Sequence, residues 1–194
     1  MPISFILIGV YIIYLIFYKQ QLKYKNILVV LLSLILLGYF VPCVDILNGA
    51  LFNFFIFVPT FLLDIFFIVK LEKVEGIIFL SALCISVTIY IVMVLNNIEF
   101  STLFSSVYIF LITLFIAVIL SFNLFLSISF SISSFIMYDI LNIVLIKNST
   151  GVVTIMSVSS ISLIVYAILI TIVTNKLFNY LKNKRKAKEK EINV

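Results

Sequence analysis

Two aspartates, Asp64 and Asp139, stand inside long apolar runs of this 194-residue chain. An Asp near the centre of a membrane span costs about 2.5 to 3.5 kcal/mol on insertion scales, so it needs a partner or a task. The run NFFIFVPTFLLD, residues 53–64, places Asn53, Thr60 and Asp64 close together on one helical face. At 100° per residue the three fall within about 40° of one another. Pro59 sits beside that stripe and has no N–H, which frees the carbonyl of Phe55 from its usual bond. Around Asp139 the pattern is fuller. Asn123, Ser127, Ser131, Ser134, Tyr138 and Asn142 recur at the helical period, with Asp139 on the flank of their stripe.

Two roles compete for these residues. Hydroxyl side chains let helices approach and hydrogen-bond, each contact giving about 0.6 kcal/mol. Alternatively, the two polar faces line a passage or binding site in which Asp64 and Asp139 handle a cation or proton. The candidate intramembrane site is therefore Asn53, Thr60, Asp64, Ser127, Ser131, Ser134, Tyr138, Asp139 and Asn142.

Catalysis finds little support. The chain has no His and only two cysteines, Cys43 and Cys84, both in apolar surroundings. No Cys/His metal cluster, His-based triad or HExxH site can be built from that inventory, and no cofactor or metal is expected. Walker A, Rossmann and GxSxG patterns are missing. The last span has no central Lys to anchor a retinal Schiff base, and the five glycines form no GxxxG pair. Tyr138-Asp139 is similar to the first half of the signature of intramembrane aspartyl proteases. Those proteins also need a GxGD element, which this sequence lacks. Asp64 precedes Lys70 by six residues and Asp139 precedes Lys147 by eight. Across a core of roughly 30 Å the two carboxylates would differ by about 9 Å in depth, too far to share a proton. No enzymatic activity is expected.

These residues need helices to hold them. The chain is 64% apolar and 11% charged, with a mean hydropathy of +1.35, whereas soluble domains are about half apolar and a quarter charged. An all-α membrane protein follows, a polytopic helical bundle of about seven transmembrane helices. A span needs roughly 20 apolar residues, and spans are expected near 2–18, 27–44, 50–69, 76–95, 103–121, 124–146 and 152–174. The boundary between the fifth and sixth is set only by Ser121-Phe122-Asn123. The first segment carries its basic residues after the apolar run and has no small-residue cleavage site, so it reads as a retained span and not a signal peptide. The two halves, 27–95 and 103–174, each hold an interrupted helix with one Asp, but no loop length or motif repeats between them.

Basic residues set the orientation. Seven spans place Lys19, Lys23, Lys25, Lys70, Lys73, Lys176 and the six basic residues from Lys182 to Lys190 on one side, and Lys147 alone on the other. Basic residues favour the cytoplasmic side. The N-terminus is therefore expected outside the cell membrane and residues 175–194 form a basic cytoplasmic tail. Six spans would split the basic loops between faces. Five spans plus a re-entrant hairpin meet the same test. The Lys-, Ile-, Asn- and Phe-rich usage points to an AT-rich, bacterial genome.

Loops of about 4 to 8 residues leave no room for a soluble domain. The tail could attract anionic lipid at about 1 kcal/mol per basic residue, or simply hold the topology. It lacks the interleaved aromatics that nucleic-acid binding would need. Asp45 is expected to cap the outer end of the second span near Asn48-Gly49, and Glu75 to favour the positive end of the fourth helix. Glu72 alternates with the lysines of its loop, and Glu99 occupies an outer loop. The sequon Asn148-Ser149-Thr150 lies against the membrane and carries no weight. The function expected is that of an accessory or scaffold subunit, contacting the lipid bilayer and another membrane protein. The alternative is a small transporter or ion-coupled carrier working through the third and sixth helices. In intact cells an impermeant thiol reagent should label Cys43 from outside and leave mid-span Cys84 unmodified; labelling of Cys43 from the cytoplasmic side alone would reverse the orientation.

Overall fold

A computed structural model of the chain describes residues 2–17, 24–45, 50–96, 102–145 and 153–192. Among these residues lie seven α-helices: α1 (Ile3–Phe17), α2 (Lys25–Gly38), α3 (Phe54–Ile68), α4 (Lys73–Asn96), α5 (Thr102–Ile119), α6 (Leu124–Leu145) and α7 (Val158–Ile192). Three short strands, β1 (Val44–Asp45), β2 (Ala50–Phe52) and β3 (Val153–Ile155), complete the described structure. Three helical segments, Lys73–Leu95, Leu124–Val144 and Val158–Lys184, are long and apolar enough to cross a membrane; the other described helices are apolar but shorter.

Helix α6 is the hub, packed against α3, α4, α5 and α7. Its sequence alternates Ser with Ile and Phe, and residues 126–136 are buried without interruption. A helix buried all round can carry small hydroxyls only where neighbours come close enough to meet them. Ile128, Ile132 and Phe135 of α6 join Ile56 and Leu63 of α3 and Ile164 of α7 in one apolar core. The peripheral α4 turns Ile77, Leu80, Ile85, Val92 and Leu95 outward.

The strands revise three expected boundaries. The helix expected over 27–44 ends at Gly38, where Tyr39 and Phe40 donate to carbonyls only three residues back. Pro42 follows, with no N–H to give and a bias of its predecessor away from helix. The helix expected from residue 50 begins at Phe54, because the Asn53 side chain caps it. The helix expected from residue 152 begins at Val158, after the strand Val153–Ile155. Strand β2 pairs antiparallel with β1 and parallel with β3, in the order β1-β2-β3. Asp45 therefore lies in β1, seven residues past the end of α2, and does not cap that helix.

Because β2 leads into α3 and β3 into α7, both helices start from the same end of the bundle and run the same way. The chain turns between α5 and α6 through a 3-10 turn at Leu120–Phe122, with Asn123 extended. Helix α7 continues through the basic tail to Ile192, as the strong helix propensity of Lys, Glu and Ala there allows. Lys19, Lys23, Asn48-Gly49, Glu99, Lys147 and the sequon lie outside the described residues.

Helices α2 and α3 are in close contact at Gly38. A Cβ there would lie 3.1 Å from the backbone at Phe55 and Ile56 and would overlap the Ile56 side chain. Gly38→Ala should therefore lower stability by about 1–3 kcal/mol, the usual range for overpacking, read as a reduced thermal midpoint in detergent. An unchanged midpoint would mean that α2 and α3 are not pressed together.

Candidate functional site

Asn53 is almost fully buried and uses its whole amide. Nδ2 donates to the carbonyl of Gly38 at 2.8 Å and, more weakly, to that of Val41 at 3.5 Å. Oδ1 accepts from the Ile56 N–H at 3.3 Å, and the Asn53 N–H donates to the Ile155 carbonyl at 3.5 Å. One side chain thus closes α2, opens α3 and stands beside the joint between β2 and β3. Asn suits this place because its oxygen satisfies the free N–H groups of a helix start, while its nitrogen satisfies the free carbonyls of a helix end.

Asp139 is engaged as fully. Its Oδ2 accepts the Met156 N–H at 2.7 Å, and its Oδ1 faces the Ser160 hydroxyl at 3.5 Å. Met156 is buried and has φ +50°, in the left-handed region that non-glycine residues rarely adopt. The turn into α7 follows at once, with Ser157 Oγ accepting the Ser160 N–H at 3.1 Å. The carboxylate therefore sits at the positive end of α7, where an anion is favoured, and ties the strained turn to α6.

The serine stripe of α6 separates into distinct contacts. Ser127 donates to the Ala117 carbonyl of α5 at 2.7 Å, and Ser131 returns its proton to the Ser127 carbonyl one turn back. Asn142 accepts from the Tyr90 hydroxyl of α4. Tyr138 is wholly buried, with its ring centroid 4.9 Å from that of Tyr90. Its hydroxyl is directed at Ser86 and Thr113 without forming a hydrogen bond of normal geometry. Ser134 Oγ and Thr113 Oγ1 are likewise buried without partners.

Asp64 differs from Asp139. Oδ2 accepts the hydroxyl of Ser133 at 2.5 Å, across the contact between α3 and α6. Oδ1 is buried with no partner, as is the hydroxyl of Thr60 one turn earlier on the same face of α3. Ser133 precedes Asp139 by six residues on α6, so the two carboxylates lie at levels about 9 Å apart along that helix.

Ser133 escaped the sequence pattern because it stands 100° away from the stripe through Ser134. The Ser157-x-x-Ser160 cap and the β-branched run Val153-Thr154-Ile155 were visible signals of a strand and helix start. A second buried chain links three helices: Ser162 donates to the Val158 carbonyl, Ser4 to Ser162, and Tyr39 to Ser4. That order follows because each hydroxyl has one proton to give.

At the opposite end from the sheet, polar groups gather again. Lys25 Nζ donates to the Ile16 carbonyl at 2.8 Å. Lys70 Nζ lies 4.0 Å from the ring centroid of Phe66 and within 5.3 Å of those of Tyr24 and Phe125. Glu75 accepts from the N–H of Glu72 and from the Asn123 amide, and Asn175 of α7 donates to the Ser121 carbonyl. Among the described residues no three His, Cys, Asp or Glu side chains come together as metal ligands would. No protein-family model, curated protein or solved structure matches the chain.

Asp139→Ala should cost about 1–3 kcal/mol, since it strands the Met156 N–H in a dry site. Asp139→Asn keeps a carbonyl acceptor and should cost less. Thermal midpoints of the purified variants in detergent measure both, and equal losses would show that the hydrogen bond to Met156 does not hold the turn.

Proposed function

We propose that the chain is a multi-pass integral membrane protein without a catalytic domain, acting as an accessory or scaffold subunit through lateral contacts in the cell membrane. The observation that supports this most is how the interior spends its polar groups. Asn53, Asp139, Ser127 and Asn142 are bonded to neighbouring helices and turns, and Ser131 to the backbone of its own helix. Outward faces are apolar, as at Ile6, Val10 and Ile13 of α1 and Leu111 and Phe115 of α5. Polar groups turned inward and aliphatic groups outward suit a lipid solvent.

The arrangement of the ends supports an orientation. Strands β1, β2 and β3 gather at one end, whereas Lys25, Lys70 and Lys73 lie at the other, toward which α7 carries its basic extension. Basic residues on one side favour that side as cytoplasmic, with the N-terminus outside. Leu177, Phe178, Tyr180 and Leu181 stay exposed where α7 leaves the bundle. Aromatic and aliphatic residues followed by lysines fit an interface with anionic headgroups.

The carrier alternative narrows to one residue, because Asp139 is occupied by its turn and Asp64 alone keeps a free oxygen. The two roles separate in proteoliposomes and native membranes. A scaffold should show no proton or cation flux when purified and reconstituted. In its own membrane it should form a stoichiometric complex with another membrane protein, preserved in Asp64→Asn and lost when outward residues such as Leu80 and Ile85 are made bulky or polar. Flux that disappears in Asp64→Asn would replace the scaffold by the carrier.

A further inference from the structure

Asp64 is the carboxyl group, among the described residues, that is buried with one oxygen unpartnered. Leu63 beside it and Ile132, Phe135 and Ile136 of α6 belong to the apolar core. One hydroxyl, that of Ser133, meets one of its oxygens, and nothing meets the other. A carboxylate with a single hydroxyl donor in a dry contact is poorly solvated, and removing water without replacing its hydrogen bonds is costly. Nearby charges do not compensate. On α2, packed against α3, the titratable groups are Lys25 and Tyr39 near its two ends, with Tyr24 just before it. On α6 they are Tyr138 and Asp139, five and six residues beyond Ser133. Past the end of α3, Lys70 is held against the rings of Tyr24, Phe66 and Phe125. None of these groups is hydrogen-bonded to Asp64, whose one polar contact among the described residues is the Ser133 hydroxyl.

We infer that Asp64, Ser133 and Thr60 form a proton-binding site sealed into the contact between α3 and α6. The carboxylate takes one proton from the aqueous phase onto Oδ1 and becomes a neutral carboxylic acid, while Ser133 continues to donate to Oδ2. The new O–H has a candidate acceptor in the unpartnered hydroxyl of Thr60, one turn away on the same face. Loss of that proton leaves an uncompensated charge between two apolar surfaces, so occupancy of the site is linked to how tightly α3 holds α6. A metal cation fits less well. The site offers two carboxylate oxygens and two hydroxyls, fewer than the six or more oxygen ligands that hard divalent cations take. Proton binding of this kind does not require transport, so it stands with the scaffold reading as well as with the carrier.

Infrared difference spectroscopy of the full chain in phosphatidylcholine vesicles tests the site, recorded as the pH is lowered from alkaline to mildly acidic in sodium-free buffer. A carbonyl-stretch band of a protonated carboxylic acid should appear in the native chain and in Asp139→Asn, and be lost in Asp64→Asn. Ser133→Ala and Thr60→Val, which keep the carboxyl group, should each shift its frequency by removing one hydrogen-bond partner. These two variants carry the test if Asp64→Asn fails to fold. The inference is overturned if no such band appears, if the band survives Asp64→Asn, if neither hydroxyl variant moves it, or if added sodium at constant pH abolishes it by taking the proton's place. Flux measurements on the same vesicles report separately on the carrier, whatever the spectrum shows.

Discussion

The side-chain amide of Asn53 stands where a helix ends, a helix begins and two strands meet, and it bonds the end of the first helix and the start of the second. Helix α2 stops with free carbonyls; α3 starts with free N–H groups; the side chain that joins them is buried. Each unmade bond there would cost roughly 1–3 kcal/mol. A carboxylate could not replace the amide, since it accepts but does not donate when ionised. An apolar residue could do neither. The close packing of Gly38 on Ile56 follows from this joint, because the amide draws the last turn of α2 directly onto the first turn of α3.

Asp139 solves a similar problem at the second strand-to-helix joint, by different means. Here the backbone takes a left-handed turn at Met156 without the conformational freedom of glycine, at a cost of order 1–3 kcal/mol. The carboxylate on α6 holds the Met156 N–H and faces the start of α7. The two joints lie on parallel strands, so β2 and β3 form a clasp that fixes the entry points of α3 and α7 relative to each other. Between them α6 offers one residue to each purpose: Asp139 to the clasp and Ser133 to Asp64. Of its other serines, Ser127 bonds a carbonyl of α5, while Ser129 and Ser131 bond carbonyls of α6 itself, which consumes hydroxyls that would otherwise have lined a polar passage.

Helical character, the α5–α6 turn at Ser121-Phe122-Asn123 and the two costly aspartates could all be read from residue types and periodicity. What could not be read were the strands. Runs of two or three residues such as Val44-Asp45 and Ala50-Leu51-Phe52 are too short to display a period of two, and an apolar background hides their edges. Asn53 was visible as part of a polar stripe with Thr60 and Asp64, yet its role depends on Gly38 and Ile155, which only folding brings near. Angular position on a single helix also misleads when the helix is buried on every side. Ser133 lies off the stripe and still reaches Asp64, because α3 occupies the face that the stripe left out.

Helices α2 and α3 meet at Asn53 and run for 14 and 15 residues, about 21 and 22 Å. Beside them α4 and α6 run for 24 and 22 residues, about 36 and 33 Å. A hydrocarbon layer of roughly 30 Å matches the second pair and overshoots the first by about 8 Å. In a bilayer of that thickness, lipids along the α2–α3 flank would have to shorten or splay, at a cost of a fraction of a kcal/mol per ångström of mismatch. A neighbouring protein that covered that flank would relieve the deformation without any specific polar contact. In such a bilayer hydrophobic mismatch would give one edge of this bundle a reason to be occupied, and a thinner bilayer would weaken that reason.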